Sequence, residues 1–570
     1  MYRTATALLE ALQEAGVSYV FANFGSDHPP ILESVAEARA GGRQIPKIIT
    51  CPHEMVALTA AHGFAQVTGH AQAVLVHVDV GTQMLAGALH NACRARVPAL
   101  ILSGASPYTQ EGELRGSRNE FIHWLQDVFD QRGIVRGYVK YDNEVRSGRN
   151  IKQIVHRALQ IAHSDPPGPV YLMAAREVLE EEVPAVVVDP AAWPRVAPAA
   201  MAQNQIEALV QELLSASRPL IVTSYLGRNP AAVEELICLA QRVGAGVVEA
   251  VPNYMNFPAD HPLYLGNQGN EQHQNPVLQD ADFVLVLDSD IPWMPTVNKP
   301  RADARIYHID IDPLKEGIPL WYIGARNVIR ADSTVALRQI NQYLDAVRID
   351  NEMVEKRRAH YRALHEARAA ELARREQAQT DVITPEYLTA CVRKSLDGDV
   401  LILNEAITNS KVLHDHLRVN QPGSLFTSGA SSLGWNGGAA LGMKLARPEK
   451  TVVALSGDGS YMFSAPSTVH WMARRYETPF LQIVYNNRGW RAPKLSMLAL
   501  HPQGRASAAE NLDVTFNPPP DYAGIAAAAG GALAQTVREP AQLEAALKEA
   551  FRVVREEKRC AVLDVWLPHL

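Results

Sequence analysis

The stretch Ser456-Gly457-Asp458-Gly459-Ser460, with Asn486-Asn487-Arg488-Gly489 further on, decides how the rest of the chain is read. The apolar run Thr451 to Leu455 ahead of it has the composition of a strand buried in a parallel sheet. It delivers an acid between two glycines to the carboxyl edge of that sheet, where open α/β sheets take their ligands. The glycines let backbone N–H groups approach an anionic oxygen closely, and the start of a following helix adds a favourable dipole. A diphosphate suits such a place. Asp458 alone would repel it, so the acid implies a hard divalent cation in between, completed by oxygen ligands. A second apolar strand, Phe480 to Tyr485, runs into the Asn-Asn pair and brings the Asn487 oxygen to a neighbouring strand end, around one Mg²⁺. Taken singly, a Gly-Asp-Gly turn and an Asn-Asn turn also arise for backbone reasons alone.

Working outward, strand-like and helix-like segments alternate along the whole chain, the pattern of doubly wound α/β units. In the first part the expected elements are a strand at Val17 to Phe24, a helix at Glu54 to Thr68, a strand at Ala73 to Val78, a helix to about Arg96 and a strand at Ala99 to Ser103. After the strand beginning Pro169-Val170-Tyr171-Leu172 comes a linker with Pro184, Pro190, Pro194 and Pro198, a natural boundary because proline continues neither helix nor sheet. A second unit follows with strands at Leu220 to Thr223, Gly246 to Val251, Phe283 to Leu287 and Arg305 to Ile311. Asn351 to Gln379, dense in Arg, Glu and Ala, reads as a solvated helical connector. The last unit has strands at Val400 to Leu403, Leu425 to Thr427, Thr451 to Leu455, Phe480 to Tyr485 and Ala561 to Val565. The expectation is α/β, with three doubly wound parallel-sheet domains at 1–180, 195–345 and 380–570.

With 54 basic and 61 acidic residues the chain is mildly acidic, which speaks against a nucleic-acid binder. The five cysteines are scattered, odd in number and without a Cys-x-x-Cys pair, so neither a disulfide framework nor a zinc site is indicated and a reducing cytoplasm is the expected setting. Glu10 and Glu14 interrupt any signal-peptide core near the N-terminus, and the most membrane-like segment, Ile525 to Leu533, is too short to span a bilayer.

Acid-between-glycines followed by Asn-Asn resembles the signature of thiamine diphosphate enzymes. The resemblance implies that Asp458, the Asn487 side chain and the Gly489 carbonyl bind Mg²⁺, while Gly457, Gly459 and Ser460, with Thr408 as a weaker candidate, hold diphosphate. Cys51-Pro52-His53-Glu54 and the helix it opens look like the family's pyrimidine-domain helix, which implies that Glu54 lies against the aminopyrimidine as the catalytic carboxylate. A glutamate in a first helical turn otherwise only complements the helix dipole. Leu433, in Ser431-Ser432-Leu433-Gly434-Trp435, matches the apolar residue that bends the cofactor, and the carbonyl of Ser431 would receive its amino group. A core leucine is the alternative.

The resemblance covers essentially the whole chain, in the domain order pyrimidine, middle, diphosphate, that of acetolactate synthase, pyruvate oxidase, pyruvate decarboxylase and benzoylformate decarboxylase. Phe24-Gly25-Ser26 is similar to the benzoylformate decarboxylase loop whose serine contacts the substrate carboxylate. Leu75-Val76-His77 is similar to the strand whose histidine shuttles protons. Ser26 could equally cap a turn before Pro29-Pro30, and His77 could be a satisfied core histidine. Departures matter too. Asp79-Val80-Gly81-Thr82-Gln83 replaces the expected Gly-x-Gly segment, the His-His pair of pyruvate decarboxylases is absent, and Pro493 stands where those enzymes carry a glutamate. Arg115, Arg118 and His123 could reach an acidic substrate, and Arg491 to Pro520, with little periodicity, could form a lid.

The expected chemistry is C–C cleavage or formation next to a carbonyl: decarboxylation of a 2-oxo acid or related dicarbonyl, with release of an aldehyde or carboligation to a 2-hydroxy ketone. An acetolactate synthase-like carboligase, an oxidase with FAD in the middle domain (which no Gly-x-Gly-x-x-Gly there indicates) and a noncatalytic scaffold are the competing readings. No nucleic acid or membrane partner is expected. The resemblance implies a homodimer as the smallest active unit and a homotetramer as the assembly.

Overall fold

The computed structural model describes residues 2–509 and 512–569. The chain builds three six-stranded parallel sheets. The first uses β1 (Tyr19–Ala22), β2 (Lys47–Thr50), β3 (Ala73–Val76), β4 (Ala99–Ala105), β5 (Tyr141–Val145) and β6 (Pro169–Ala175). The second uses β7 (Pro219–Thr223), β8 (Gly246–Ala250), β9 (Tyr264–Gln268), β10 (Phe283–Leu287), β11 (Arg305–Asp310) and β12 (Asn327–Arg330). The third uses β13 (Val400–Glu405), β14 (Leu425–Thr427), β15 (Thr451–Gly457), β16 (Leu481–Asn486), β17 (Leu533–Val537) and β18 (Ala561–Trp566). Their central strands are apolar on both faces because helices cover both faces, so they appear in the sequence as unbroken hydrophobic runs. Among the described residues no helix is long and apolar enough to cross a membrane.

The first sheet runs β2-β1-β3-β4-β6-β5 and the third β14-β13-β15-β16-β18-β17, the same order of strands within each unit. The second has its own order, β12-β11-β10-β7-β8-β9. In both outer units the second strand leads into a helix rich in small residues: Glu54–Thr68 after β2 and Trp435–Ala446 after β14. These two helices pack on each other so closely that side chains are excluded at several points. A Cβ on Gly442 would lie 1.9 Å from the Ala60 carbonyl oxygen, and one on Gly63 would lie 2.3 Å from that of Ala439. The contact belongs to a hydrophobic core that joins the first and third sheets through Val56, Ala60, Trp435, Ala439 and Met443.

The elements expected from sequence are present with small shifts at their ends, and two features differ. The single helix expected up to Arg96 is two, Val78–Gln83 and Ala86–Arg94. The segment after Arg491 is not featureless: Arg491–Leu500 is a helix with no buried residue, and the chain returns to pair Gly489 with Thr515. Its solvent exposure hides the helical period from a hydrophobicity reading.

The helix contact gives a stability prediction. Gly442→Val should destabilise the protein by about 3 kcal/mol, as overpacking against backbone does, and lower the melting temperature by several degrees. Gly398→Ala, where a Cβ meets nothing within 4 Å, should leave it unchanged.

Candidate active site

A parallel sheet opens a crevice at the carboxyl ends of two strands whose connections run in opposite directions. In the third unit those strands are β13 and β15. β13 ends in Glu405 and passes into the turn Ile407–Asn409, which carries Thr408 half-buried. β15 passes into the short helix Asp458–Phe463. Asp458 is only 3% exposed, and its oxygens accept from the N–H groups of Gly459 at 2.8 Å and Gly489 at 2.9 Å. Burial pushes its carboxyl up to about 6, outweighing the N–H groups of Gly459, Gly489 and Arg488 that pull it down. Against the ordinary value near 4, keeping it ionised at neutral pH costs on the order of 3 kcal/mol. The carboxylate is short of positive charge.

Asn486 and Asn487 divide their labour. The Asn486 side chain accepts from Arg488 N–H at 3.0 Å and donates to Asp564 at 2.8 Å, locking the turn. Arg488 takes the left-handed φ of +62°, which turns the chain so that Gly489 N–H meets Asp458. Asn487 is left over: it is buried, and its Oδ1 has no hydrogen-bond partner among the described residues. A buried amide oxygen without a donor is costly unless something electropositive occupies the place next to it. Among the described residues no cluster of three or more His, Cys, Asp or Glu is able to hold a metal, so a cation here would draw on Asp458, Asn487 and backbone or ligand oxygens. Gly459 is required sterically, since a Cβ would come within 2.7 Å of the Trp490 indole nitrogen.

Ser431, exposed, holds a left-handed φ of +58°, a strained choice for a residue with a side chain, and its N–H donates to Ser428 Oγ at 3.0 Å. Leu433 is half-buried. The turn is bolted to the first unit by Asn91, which accepts from Ser432 N–H at 3.0 Å and donates to its carbonyl at 2.8 Å. Gly434 fits between the Phe463 carbonyl and the Met55 methyl. The Leu433 turn and the start of the Glu54 helix therefore stand together within one chain. Glu405, fully buried, accepts from the N–H groups of Trp435 at 2.9 Å and Asn436 at 3.0 Å, and burial pushes it up to about 7 despite them.

The first unit presents the corresponding crevice between β1 and β3. β1 leads to Gly25-Ser26-Asp27-His28 and β3 to His77. Asp27 is fully buried; one of its oxygens makes a very short hydrogen bond to His77 Nδ1, and the other accepts from Val78 N–H at 3.3 Å. His28 is also fully buried, accepts from Gly25 N–H on Nδ1 at 3.0 Å and places Nε2 3.2 Å from Asp27. Desolvation pulls His28 below its usual range, whereas the hydrogen bond to Asp27 lifts His77 above it. Glu54, half-buried, opens its helix, which His53 Nδ1 caps by accepting from Met55 N–H at 3.2 Å. A Cβ on Gly81 would stand 3.4 Å from both Glu54 Oε1 and His77 Cβ, so the two side chains flank one bare stretch of backbone. Ser26 Oγ is buried without a partner among the described residues, as is Asp79 Oδ1, while Asp79 Oδ2 accepts from Gln83 at 3.3 Å.

Asp27, His28 and Asn486 escape the sequence reading. An Asp-His pair directly after Gly-Ser at a strand end is the signal that could have found the first two. Arg115, Arg118 and His123 are engaged elsewhere: Arg115 Nε lies 3.0 Å from Glu180, Arg118 donates to the Pro107 carbonyl at 2.7 Å and pairs with Asp127, and His123 is buried.

In the middle unit the reversal lies between β7 and β10, and its crevice is filled from within. Lys315 Nζ, buried, contacts Tyr225 Oη at 2.8 Å, Asp310 at 2.6 Å and Asp290 at 2.9 Å. Arg96, from the first unit, grips Asp290 through two hydrogen bonds of 3.0 and 2.7 Å and stacks 4.5 Å above the Tyr225 ring.

Comparison with known proteins assigns the class. Residues 2–134 match the N-terminal TPP binding domain of thiamine pyrophosphate enzymes, 206–318 their central domain and 406–565 their C-terminal TPP binding domain. The chain belongs to this family of thiamine diphosphate-dependent enzymes, the one that holds the acetolactate synthases and 2-oxo acid decarboxylases. It is 25% identical to sulfoacetaldehyde acetyltransferase of Castellaniella defragrans over 98% of its length and 92% of that protein's. It is also 25% identical to the acetolactate synthase large subunit of Haemophilus influenzae, over 96% and 92%. In fold it resembles the 4-hydroxybenzoylformate decarboxylase of Rhodococcus jostii, with a TM-score of 0.78 at 21% identity over 100% of this chain and 99% of the other. Benzoylformate decarboxylase of Polynucleobacter necessarius is similar, with a TM-score of 0.79 at 19% identity and the same coverage.

Glu405 yields a pH prediction. Its carboxyl is raised from 4.5 to about 7, so the folded state favours the protonated form. The resulting stability is present below the unfolded value and lost as pH rises through about 7. The melting temperature of the wild type should fall between pH 5 and 8 relative to Glu405→Gln.

Proposed function

We propose that this enzyme uses thiamine diphosphate with Mg²⁺ to break or make a C–C bond next to a carbonyl. The preferred reaction is decarboxylation of a 2-oxo acid, with release of an aldehyde or joining to a second carbonyl as a 2-hydroxy ketone. The observation that carries the reading is the pair of oxygens at adjacent strand ends: Asp458, desolvated and short of positive charge, and Asn487, whose Oδ1 is buried without a partner. These two and the Gly489 carbonyl would hold Mg²⁺. Gly457, Gly459, Ser460 and Thr408 would hold the diphosphate, with Leu433 under the bend and the Ser431 carbonyl facing the amino group.

When bound, the cofactor supplies the carbon nucleophile for the keto group and takes up the electron pair left by CO₂. The chain does the rest. Glu54 would hold the proton shared with the pyrimidine ring. Ser26 would donate its hydroxyl hydrogen to the substrate carboxylate, which accounts for its lack of a protein partner. His77, raised above its usual range by Asp27, would carry the proton that ends an aldehyde-forming cycle. Asp79 and Gln83, hydrogen-bonded to each other on the helix that follows His77, would offer polar groups to a polar substrate.

The carboligase reading draws on the two relatives named above, an acetyltransferase and an acetolactate synthase. A flavin-free middle unit is favoured by the Tyr225, Arg96 and Lys315 cluster that fills its crevice, and the purified protein should then be colourless. A dimer is favoured by large apolar side chains left in solvent on both outer units: Phe121, Leu125 and Phe129 on the first, Met462 and Phe463 on the third. A tetramer, as a pair of such dimers, is the assembly we propose.

The reading is tested by a screen of 2-oxo acids and 1,2-diketones for aldehyde and acyloin products. Glu54→Gln should cut turnover at least about a hundredfold, within the range for a catalytic group. Asp458→Asn should abolish Mg²⁺-dependent cofactor binding in calorimetry. A wild-type protein that binds no thiamine diphosphate would instead be a scaffold.

A further inference from the structure

We propose that Asp27 is the positioning residue of the reaction: it keeps a hydrogen on His77 Nδ1 and holds the ring as an imidazolium whose Nε2 edge delivers the proton to the reacting fragment. This rests on the reading of His77 as proton donor.

The geometry is built around the Asp27–His77 pair. Asp27 is fully buried, yet its carboxylate is spent on His77 Nδ1, Val78 N–H and the edge of His28. Room for it exists only because two neighbours lack side chains. A Cβ on Gly104 would fall 1.4 Å from Asp27 Oδ2, and one on Gly25 would fall 2.2 Å from His77 Nδ1. Neither Gly25 nor Gly104 has a left-handed backbone, so space and not conformation demands glycine there. His28 cannot take the proton, because its Nδ1 already accepts from Gly25 N–H and burial keeps it neutral.

His77 is 23% exposed while its Nδ1 edge lies against buried Asp27, so the accessible part of the ring is the Nε2 side. The other titratable groups acting on it are Asp79 and Glu54, both acidic and both favouring the cation. On the Asp27 side stand neutral His28, His123, whose pKa is pulled down by burial, and Arg176, which donates to the Ser26 carbonyl at 3.1 Å. In the transfer the Nε2–H bond breaks, its electron pair stays on the ring, and the hydrogen joins the reacting fragment. The Nδ1–H bond is kept, and Asp27 stays ionised throughout. Water returns the proton to Nε2 before the next turnover.

Asp27→Asn removes the charge and keeps the shape. In the holoenzyme the alkaline limb of the kcat profile should move down by about one pH unit or more and kcat at pH 8 should fall about tenfold. KM should change less than about threefold and thiamine diphosphate affinity by calorimetry should stay within about threefold, since Asp27 acts through His77. In a His77→Ala background the same change should cost less than about twofold, the non-additivity expected of a pair acting as one unit. A wild type that turns over with a limb unmoved by Asp27→Asn overturns the proposal, as does full additivity with His77→Ala. Failure of the wild type to bind the cofactor overturns the functional reading and this inference with it. Should Asp27→Asn not fold, carbethoxylation of His77 in the wild-type holoenzyme, followed by peptide mass spectrometry against pH, decides. Half-reactivity above the ordinary imidazole value of about 6.5 supports the pair, and at or below it overturns it.

Discussion

Asp458 is a carboxylate taken almost out of water, with backbone N–H groups as its hydrogen-bond partners. Its hydrogen bonds to Gly459 and Gly489 pull it toward ionisation, and burial wins, pushing it up to about 6. A protein does not keep such a group for stability, since an isolated buried charge costs more than neutral hydrogen bonds return. The strained turn at Arg488, the locking of Asn486 onto Asp564 and the unpartnered Oδ1 of Asn487 gather beside it at the ends of β15 and β16, where we propose that Mg²⁺ binds.

The molecule around this constraint is two copies of one plan with a third unit between them. The first and third sheets share a strand order, and in each the helix after the second strand is made of small residues so that the two helices can touch along their backbones. The switch-point crevices of both outer sheets hold the residues we propose for the chemistry: Ser26, Asp27 and His77 in one, Thr408 and Gly457 to Ser460 in the other. The middle sheet has a crevice of the same kind, but it is closed by an ion network that Arg96 ties to the first unit. The middle unit thereby becomes an anchor for the loop after the helix Ala86–Arg94.

What the sequence made legible follows from burial. Central strands such as Phe283–Leu287 and Thr451–Gly457 are apolar runs and are found within a residue or two. Five of the six edge strands, at Lys47, Tyr141, Tyr264, Asn327 and Leu533, escape, because an edge strand is polar or half in water and shows no continuous hydrophobic signal. At the site, Asp458 and Asn487 stand out because their neighbours are glycines and an asparagine in a pattern, and Glu54 because Cys51-Pro52-His53-Glu54 and the helix it opens resemble the family's pyrimidine-domain helix. Asp27 does not, since a lone aspartate in a loop is usually a turn residue. Its importance is visible only once Gly25 and Gly104, 79 residues apart in the chain, are seen to clear space for one carboxylate.

The decisive measurement is a crystal structure grown with thiamine diphosphate and Mg²⁺. One metal ion should touch the side-chain oxygens of Asp458 and Asn487, and a Glu54 carboxylate should lie within hydrogen-bond distance of the pyrimidine ring of the same cofactor molecule. If in every pairing of protomers Glu54 and Asp458 stand too far apart to touch a single molecule, the proposed site is wrong.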